Sequence, residues 1–218
     1  MKKLFVAIRH NDLNTVKELL NKKPELISCV AKQPPKKDDG QSPLQVAIKT
    51  GAFEIAEFLL DMGADVNFIE NESCNNWKIP ASHDAIRAAV FSSRFSRSPS
   101  YDKANWELCN SKEKSDTSYK LLKRAFDMGA DVAARDSSGN SCLHRAIMDA
   151  RQVLPTYHYG KSKLMDDGLL TDELKEDLMR IFDLLLSKGA DVNEVIPNRN
   201  ASLSEIYAKE PVLRFFAK

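Results

Sequence analysis

The stretch LLDMGADVNF (Leu59–Phe68) has two close copies in this chain, AFDMGADVAA at Ala125–Ala134 and LLSKGADVNE at Leu185–Glu194. In each copy an apolar run typical of a helix leads directly into Gly-Ala-Asp-Val. Glycine lacks a Cβ atom and adopts positive φ angles at little cost, so it commonly follows the last turn of a helix. The pattern therefore predicts helices that end at these glycines. We expect the next apolar residues, Ala64 and Val66 in the first copy, to pack beneath the neighbouring unit.

A second helical pattern lies upstream of each of these helices, and a further pair of segments near the N-terminus follows the same order. A helix, a turn and a second helix cannot bury their apolar face alone. Stacking of successive units is therefore expected. The upstream segments are Leu4–Ile8, Leu44–Ile48, Ser82–Ile86 and Leu143–Ile147.

The segments DGQSPLQVA (Asp39–Ala47) and DSSGNSCLHRA (Asp136–Ala146) resemble the ankyrin repeat. That family's pattern is Asp-x-x-Gly-x-Thr-Pro-Leu-His-x-Ala, followed by Gly, by Val-x-x-Leu-Leu and by Gly-Ala-Asp-Val-Asn. The resemblance implies a solenoid of two-helix repeats, which usually serves as an interaction scaffold. It also implies that Asp65 and Asn67 help to tie the hairpin loop.

The predicted fold is all-α: an ankyrin-repeat solenoid of four repeats plus a degenerate C-terminal cap, with helix-hairpin insertions in repeats three and four. Lys23–Glu25 replaces Gly-Ala-Asp in the first repeat, as expected where a stack meets solvent. The predicted single domain divides into residues 1–37, 38–70, 71–135 with an insertion at 92–118, 136–195 with an insertion at 151–170, and the cap at 196–218.

Two inner helices are predicted to extend beyond the usual turn. Asn11 and Gly51 occupy the turn position in the first two repeats, and both tolerate positive φ. Ala89 and Ala150, which are good helix formers, occupy it in the last two repeats. Because adjacent repeats lie side by side, we expect the two insertions to form one extra lobe. Thr171 is predicted to be the N-cap of a long outer helix that follows.

The composition is that of an ordinary folded protein: of 218 residues, 43% are apolar and 29% are charged, and the formal net charge is +1. This balance gives no overall attraction to nucleic acids or membranes, and we expect neither as a partner. The apolar run Leu4–Ile8 is too short for a signal peptide, and no stretch is long enough to span a bilayer, so we expect a cytoplasmic protein. The cysteines lack a Cys-x-x-Cys pair, which argues against a disulfide framework or a zinc site.

The resemblance places His83 and His144 at the histidine of the repeat pattern, which in the ankyrin family forms a hydrogen bond between neighbouring repeats. Gln45 has the same position in the second repeat, where it could replace that hydrogen bond but could not act as a general base. This favours a structural role for the histidines. No phosphate-binding loop or nucleophile-elbow motif occurs. We therefore predict no enzymatic activity, no catalytic residues, no cofactor and no metal.

The inner-helix face supplies the first candidate partner contacts. Two positions after the alanine of each inner helix come Arg9, Lys49, Arg87 and Met148, and Asp149 follows Met148. The basic residues share one register, with neighbours about 10 Å apart for packed helices. This basic ladder would recognise an acidic partner surface, and a solvated charged stripe is the alternative.

The hairpin tips and the insertions add further candidates. Gln41, Trp77 and Asn140 lie in the loops before inner helices. Trp77 offers a large contact area if it is not tucked beneath the next repeat. The aromatic residues of the insertions either cover the elongated helices or contact a partner. These insertion candidates are Trp106, Tyr157 and Tyr159.

We therefore expect a monomeric, non-enzymatic module that binds one protein partner through its concave face, its hairpin tips and the insertion lobe. One alternative is an inhibitor or immunity-type protein that blocks a toxin or an enzyme, with the lobe acting as a plug. Another is an enzyme or small-ligand binder that uses a pocket under the insertions. That pocket would lie around Trp106, Tyr157, His158 and Tyr159.

Overall fold

The computed structural model describes residues 1–70, 73–97, 107–165, 167–196 and 199–217. The helices in these ranges are α1 (Lys2–Arg9), α2 (Leu13–Lys22), α3 (Pro43–Thr50), α4 (Phe53–Asp61), α5 (Ala81–Phe91), α6 (Lys112–Asp127), α7 (Cys142–Ala150), α8 (Asp172–Ser187) and α9 (Leu203–Ile206). Short 3-10 helices lie at Pro24–Ser28, Lys36–Asp38, Tyr159–Lys161, Asp167–Leu169 and Pro211–Phe215. The strands are β1 (Ser96–Arg97), β2 (Glu107–Leu108), β3 (Tyr157–His158), β4 (Lys163–Leu164), β5 (Val195–Ile196) and β6 (Ala201–Ser202).

The helices form two layers. Helices α1, α3, α5 and α7 pack side by side as the inner layer, and α2, α4, α6 and α8 form the outer layer. Each outer helix packs against the inner helix that precedes it. Buried aliphatic side chains from both layers join into one core that runs the length of the stack. The predominantly helical, layered architecture agrees with the fold expected from the sequence.

Left-handed glycines end the outer helices, as the repeated Gly-Ala-Asp-Val segments predict. Gly63, Gly129 and Gly189 have φ angles of 84°, 93° and 93°. In the first copy, Ala64 and Val66 are buried and join the core. The prediction of a sharp turn that returns apolar residues to the stack is confirmed.

The aspartate of each Gly-Ala-Asp-Val segment organises the turn that follows. Oδ1 of Asp65 accepts a hydrogen bond of 2.8 Å from the backbone N–H of Asn67, and the same bond recurs from Ala133 to Asp131 and from Asn193 to Asp191. Each bond mimics a backbone turn with a side-chain oxygen.

The amide of Asn67 also connects two neighbouring turns. Its Nδ2 donates to the carbonyl of Gly129 at 2.9 Å, and its Oδ1 accepts from the N–H of Asp131 at 2.8 Å. The implied roles of Asp65 and Asn67 in tying the hairpin loop are therefore confirmed.

The inner helices differ in length as their turn residues indicate. Asn11 has a φ of 55° and Gly51 a φ of 75°, and each follows closely on the end of its helix. Helix α5 continues two residues beyond Ala89, to Phe91. Helix α7 ends at Ala150 and continues only as turns, so the predicted extension is clear in α5 and minimal in α7. Helix α8 begins after its N-cap Thr171, as expected.

The prediction of helix hairpins in the insertions is wrong for the described residues. Strand β1 pairs antiparallel with β2 in the first insertion, and β3 pairs with β4 in the second. The remaining described part of the first insertion lengthens α6, which begins at Lys112. Asn110 donates from Nδ2 to the carbonyls of Phe91 and Ser93 at 2.8 and 2.9 Å and so draws the chain back to the end of α5. In the second insertion, Pro155 disfavours helical continuation beyond α7.

A buried ion pair anchors the first insertion to the outer layer. The backbone N–H and Nε of Arg94 both donate to Oδ2 of Asp177 on α8, each at 2.9 Å. Burial raises the pKa of Asp177, but the hydrogen bonds from Arg94 and Ser115 and the charge of Arg180 together outweigh burial and hold that pKa below its usual value. Both residues are buried, so Arg94 joins sequence-distant segments into one packed unit.

We expect Gly63→Ala to lower the free energy of unfolding by about 1–2 kcal/mol, because an L-residue with a Cβ is strained at positive φ. No atom lies within 4 Å of the Cβ that alanine would add, so the cost is conformational rather than steric. Gly168→Ala is the matched control, since its Cβ also meets open space and its φ is outside the left-handed region. Chemical denaturation measures both variants, and equal effects would contradict this explanation.

We expect Arg94→Met to destabilise the protein by about 3–5 kcal/mol, because it leaves the buried carboxylate of Asp177 without its main donor. The double variant Arg94→Met/Asp177→Leu removes both charges and should recover much of this loss. Thermal and denaturant unfolding measure the three proteins. A double variant that is as unstable as the single one would show that the charge pair is not the cause.

Candidate functional site

A cavity of about 340 Å³ opens on the inner-helix face, between α3, α5 and α7. Its volume lies within the range of roughly 300–1,000 Å³ that is usual for ligand pockets. The cavity is lined by Ile48, Lys49, Ile79, His83, Asp84, Arg87, Ala88, Phe91 and Arg145. We call it the inner-face cavity.

The walls of the inner-face cavity are mainly apolar. Ile48 is buried, and Ile79, Ala88 and Phe91 are half-buried, so they retain surface that another molecule can cover. The guanidinium of Arg87 lies 4.8 Å from the centre of the Phe91 ring, a cation–π contact. These walls suit an apolar or aromatic group.

Asp84 supplies a carboxyl group at the inner-face cavity, although it is only 4% exposed. Nε2 of Gln45 donates to its Oδ2 at 3.0 Å. Burial raises the pKa of Asp84 from its usual 3.8 to about 7, against the opposing effect of Lys49. At neutral pH this carboxyl group therefore lies close to its titration midpoint.

His83 is neutral and faces the same cavity. Its Nε2 lies 3.1 Å from the carbonyl oxygen of Ala134, and since a carbonyl can only accept, Nε2 carries the proton. Nδ1 is then an acceptor, and it is buried with no described hydrogen-bond partner. Burial lowers the pKa of His83 to about 4.

The hydrogen bond of His83 recurs at the equivalent positions in its neighbours. Gln45 donates from Nε2 to the carbonyl of Ile79 at 2.9 Å, and Nε2 of His144 lies 3.1 Å from the hydroxyl of Tyr207. The predicted structural role of the histidines, and the replacement of the histidine by Gln45, are both confirmed.

The first two cations of the basic ladder have partners within the fold. Nη1 of Arg9 lies 2.8 Å from Oδ2 of Asp38. Nζ of Lys49 donates to the carbonyl of Lys37 and to Oε1 of Gln41, both at 2.9 Å. These contacts fix the two side chains over the hairpin loop that precedes α3.

The third ladder cation is paired in the same way. Nη1 of Arg87 lies 2.8 Å from Oδ1 of Asp149, and the Arg87 side chain remains 49% exposed. Arg145 pairs with Asp136 at 2.9 Å and approaches Asp149 at 3.8 Å. Carboxylates of the fold thus offset the charges of Arg87 and Arg145 beside the inner-face cavity, whereas Lys49 contacts neutral oxygens. An acidic partner gains less from the ladder than a row of free cations would provide.

Comparison with known proteins agrees with the helix pairs and turns described above. The family model described as Ankyrin repeats (3 copies) matches residues 2–70. Residues 2–70 are similar to ankyrin repeats. The matched range covers about a third of the chain, and no curated protein matches it. Ankyrin repeats are generally non-enzymatic modules for protein–protein interaction.

Two predicted contact residues cannot touch a partner directly. Gln41 is 3% exposed and Asp149 is 0% exposed. Gln41 turns inward to hydrogen-bond Glu70 and to accept from Lys49, and Asp149 is buried beneath Arg87. Both residues position cations instead of meeting solvent, and this corrects their assignment as contacts.

The other predicted contact residues, at the hairpin tips and on the inner-helix face, differ in their solvent exposure. Trp77 is 56% exposed, so it is not tucked beneath the next repeat. Met148 is half-buried. Asn140 is also half-buried and donates from Nδ2 to the carboxylate of Asp136 at 2.9 Å, which stabilises its own loop.

The aromatic residues of the second insertion do not form a large pocket. Tyr157 and Tyr159 pack edge to face with ring centres 5.0 Å apart, and the hydroxyl of Tyr159 donates to Glu210 at 3.2 Å. The cavity beside them is about 60 Å³, well below the usual size of a ligand site. His158 is exposed, and Trp106 lies outside the described residues. The proposed small-ligand pocket gains no support from the described side of this lobe.

The described residues also lack the features of a metal site or a membrane span. They contain no group of three or more His, Cys, Asp or Glu side chains arranged to hold a metal ion. In the same ranges, every helix is too short or too polar to cross a bilayer. The cysteines are free thiols.

Sequence reasoning missed several residues of the inner-face cavity, namely Ile48, Ile79, Asp84, Phe91 and Arg145. One signal was available: Asp84 interrupts the apolar inner-helix pattern at a position that stacking buries. Phe91 reaches the cavity because α5 continues past the usual turn, and that extension follows from Ala89.

We expect Asp84→Asn to stabilise the protein more at about pH 8 than at about pH 5. The folded-state pKa of Asp84 is raised, so the folded protein binds the proton more tightly than the unfolded chain does. The contribution of Asp84 to the free energy of unfolding is greatest below about pH 3.8 and is lost as the pH rises towards about 7. Burial is the main cause, and Lys49, Glu70, Gln45 and Arg87 are the groups that act on the carboxyl group.

The gain in unfolding free energy from Asp84→Asn should be about 2–3 kcal/mol larger at about pH 8 than at about pH 5. Glu113→Gln, on the exposed side of α6, is the matched control that removes a carboxylate without a burial cost. Unfolding free energies of both variants and the wild type measure the difference. A pH-independent effect of Asp84→Asn would show that the carboxyl group is not buried as described.

Proposed function

We propose that this protein binds a protein partner on the concave face of its inner helices, with the inner-face cavity at the centre of the contact. The single observation that carries this proposal is the inner-face cavity itself, with half-buried apolar walls and the half-exposed side chain of Arg87. Interfaces are anchored where a side chain fills such a desolvated pocket. The general interaction role of ankyrin repeats supports the same function.

The composition of this face favours binding over catalysis. His83 is held neutral by burial, with its pKa lowered to about 4, and its Nε2 is engaged by the carbonyl of Ala134. Arg87 and Arg145 are engaged by carboxylates. Groups held in this way can recognise a partner, but none combines with a nucleophile in the described site.

Surfaces beside the cavity would enlarge the interface. Trp77 is exposed at a hairpin tip, and tryptophan contributes much binding energy where an interface buries it. Tyr159 is 55% exposed on the insertion lobe. Lys49 and Met148 lie on the same inner-helix face and would form the rim.

We also propose that ankyrin repeats continue beyond the matched range and number four. The Gly-Ala-Asp-Val turns after α6 and α8 repeat the geometry of the turn after α4, which supports this count. In this interpretation α9 and the 3-10 helix Pro211–Phe215 are the degenerate cap. The rings of Phe215 and Phe216 stack on Phe182 of α8 at 5.6 and 6.2 Å, which suits a cap that covers the last repeat.

The test is affinity capture from the native host with a variant that fills the cavity. Ala88→Phe places a ring in the inner-face cavity without removing a charge. We expect it to reduce recovery of the partner by at least about tenfold, because the anchoring side chain loses its pocket. Lys120→Phe adds the same ring at an exposed position of the outer helix α6 and should leave recovery unchanged.

Quantitative mass spectrometry compares the proteins recovered by the wild type and both variants, and circular dichroism verifies that each variant is folded. Equal recovery by Ala88→Phe and the wild type would refute the concave-face assignment. Equal loss in both variants would show that the added ring acts non-specifically.

A further inference from the structure

Two polar groups at the base of the inner-face cavity offer acceptor atoms, namely the ionised carboxylate of Asp84 and the ring of His83. The hydrogen bond described for the Asp84 side chain comes from Gln45 and reaches only Oδ2. Nδ1 of His83 is an acceptor without a described partner, on a residue that is 1% exposed. Buried acceptors gain most from a ligand that brings a donor. The group that reaches this base should therefore carry an O–H or an N–H.

Charge around the cavity favours a neutral occupant. The cations Lys49, Arg87 and Arg145 line it. A lysine or arginine of the partner would enter between these three positive charges. An aspartate or glutamate would meet the buried carboxyl group of Asp84. A lysine or arginine would lose hydration without a free counter-charge, which is costly. A carboxylate would lose hydration beside the buried carboxyl group of Asp84, and Arg87 and Arg145 are already paired with carboxylates of the fold.

The apolar walls of the inner-face cavity favour an aromatic side chain. Ile48, Ile79 and Ala88 present aliphatic surface, and Phe91 stacks against one side of the Arg87 guanidinium at 4.8 Å. Because the Arg87 side chain is 49% exposed, its guanidinium can stack on a second ring. Asparagine and glutamine carry donors but have too little apolar surface to cover these walls.

We infer that the inner-face cavity receives a tyrosine side chain of the protein partner, with the phenol hydroxyl donating a hydrogen bond to Asp84. Phenylalanine fits the walls but brings no donor, and tryptophan carries its N–H on the side of the ring rather than at its tip. Tyrosine combines an apolar body with a polar tip, and it is enriched among the residues that dominate binding energy. This inference rests on the proposed function, because it names the anchor that a partner would insert.

The experiment titrates the full chain with N-acetyl-tyrosinamide and follows backbone amide signals by NMR. The matched probes are N-acetyl-phenylalaninamide, N-acetyl-tryptophanamide and the corresponding glutamate and arginine derivatives. We expect the tyrosine probe to bind at least about tenfold more tightly than the phenylalanine probe, with the largest shifts in α5. Equal affinity of these two probes, tighter binding of any other probe, or shifts centred elsewhere would overturn the inference.

Two variants separate the hydrogen bond from the shape of the cavity. Asp84→Leu should lower the affinity for the tyrosine probe to that for the phenylalanine probe, whose own binding is retained and shows that the cavity is intact. Ala88→Phe should abolish binding of both probes. In the wild type, the preference for tyrosine should increase between about pH 6 and about pH 8 as Asp84 ionises, because a carboxylate is the stronger acceptor. A tyrosine preference that survives Asp84→Leu would overturn the assignment of Asp84.

The probes are used without the partner, so the two proposals fail separately. Capture that depends on Ala88, combined with no preference for the tyrosine probe, would leave the concave-face interaction and remove the tyrosine anchor. A selective tyrosine probe combined with unchanged capture by Ala88→Phe would remove the concave-face interaction, and the inference that a partner inserts the tyrosine would be lost with it.

Discussion

The structure depends on the burial of apolar faces between stacked helix pairs, which no single pair can achieve alone. Each Gly-Ala-Asp-Val turn ends one helix pair in the same geometry, so that the next pair can stack on it. The glycine ends the outer helix in a left-handed conformation, the aspartate fixes the next residues, and the alanine and valine return to the core. Where the amide of Asn67 bridges from one turn to the next, adjacent units are also tied by hydrogen bonds. This arrangement places the inner helices side by side, so their outward side chains follow one another in register.

Stacking also decides what the inner face can recognise. Cations that follow one another in register from repeat to repeat are brought close to carboxylates of the same or the next repeat, and Arg87 with Asp149 is an example. The face is consequently better suited to shape and hydrogen bonding than to long-range attraction of an acidic partner. Burial has a second effect, because it raises the pKa of Asp84 and lowers that of His83. The inner-face cavity therefore presents desolvated polar groups within an apolar surround.

The insertions belong to the same packed body in their described parts. Arg94 reaches from the first insertion to Asp177 on α8, and Asn110 returns the chain to the end of α5. Residues Phe95 and Arg97 of the first insertion share a cavity with Leu154 and Met165 of the second, in agreement with the expectation of one common lobe.

The sequence by itself determined that helices come in pairs, that the outer helices end at the repeated glycines and that α8 begins after Thr171. These depend on local chemistry, such as glycine at positive φ, side-chain caps and apolar spacing, which a linear pattern records directly. The structural role of His83 and the replacement of that histidine by Gln45 followed from the same pattern. Only the tertiary structure decided which side chains remain exposed at the surface. Gln41 and Asp149 look like surface residues in the sequence, yet they are buried by hairpins and helices that pack over them. Asp84 and Phe91 of α5 and Arg145 of α7 line one cavity because α3, α5 and α7 converge there. Burial and charge pairing depend on neighbours that are distant along the chain.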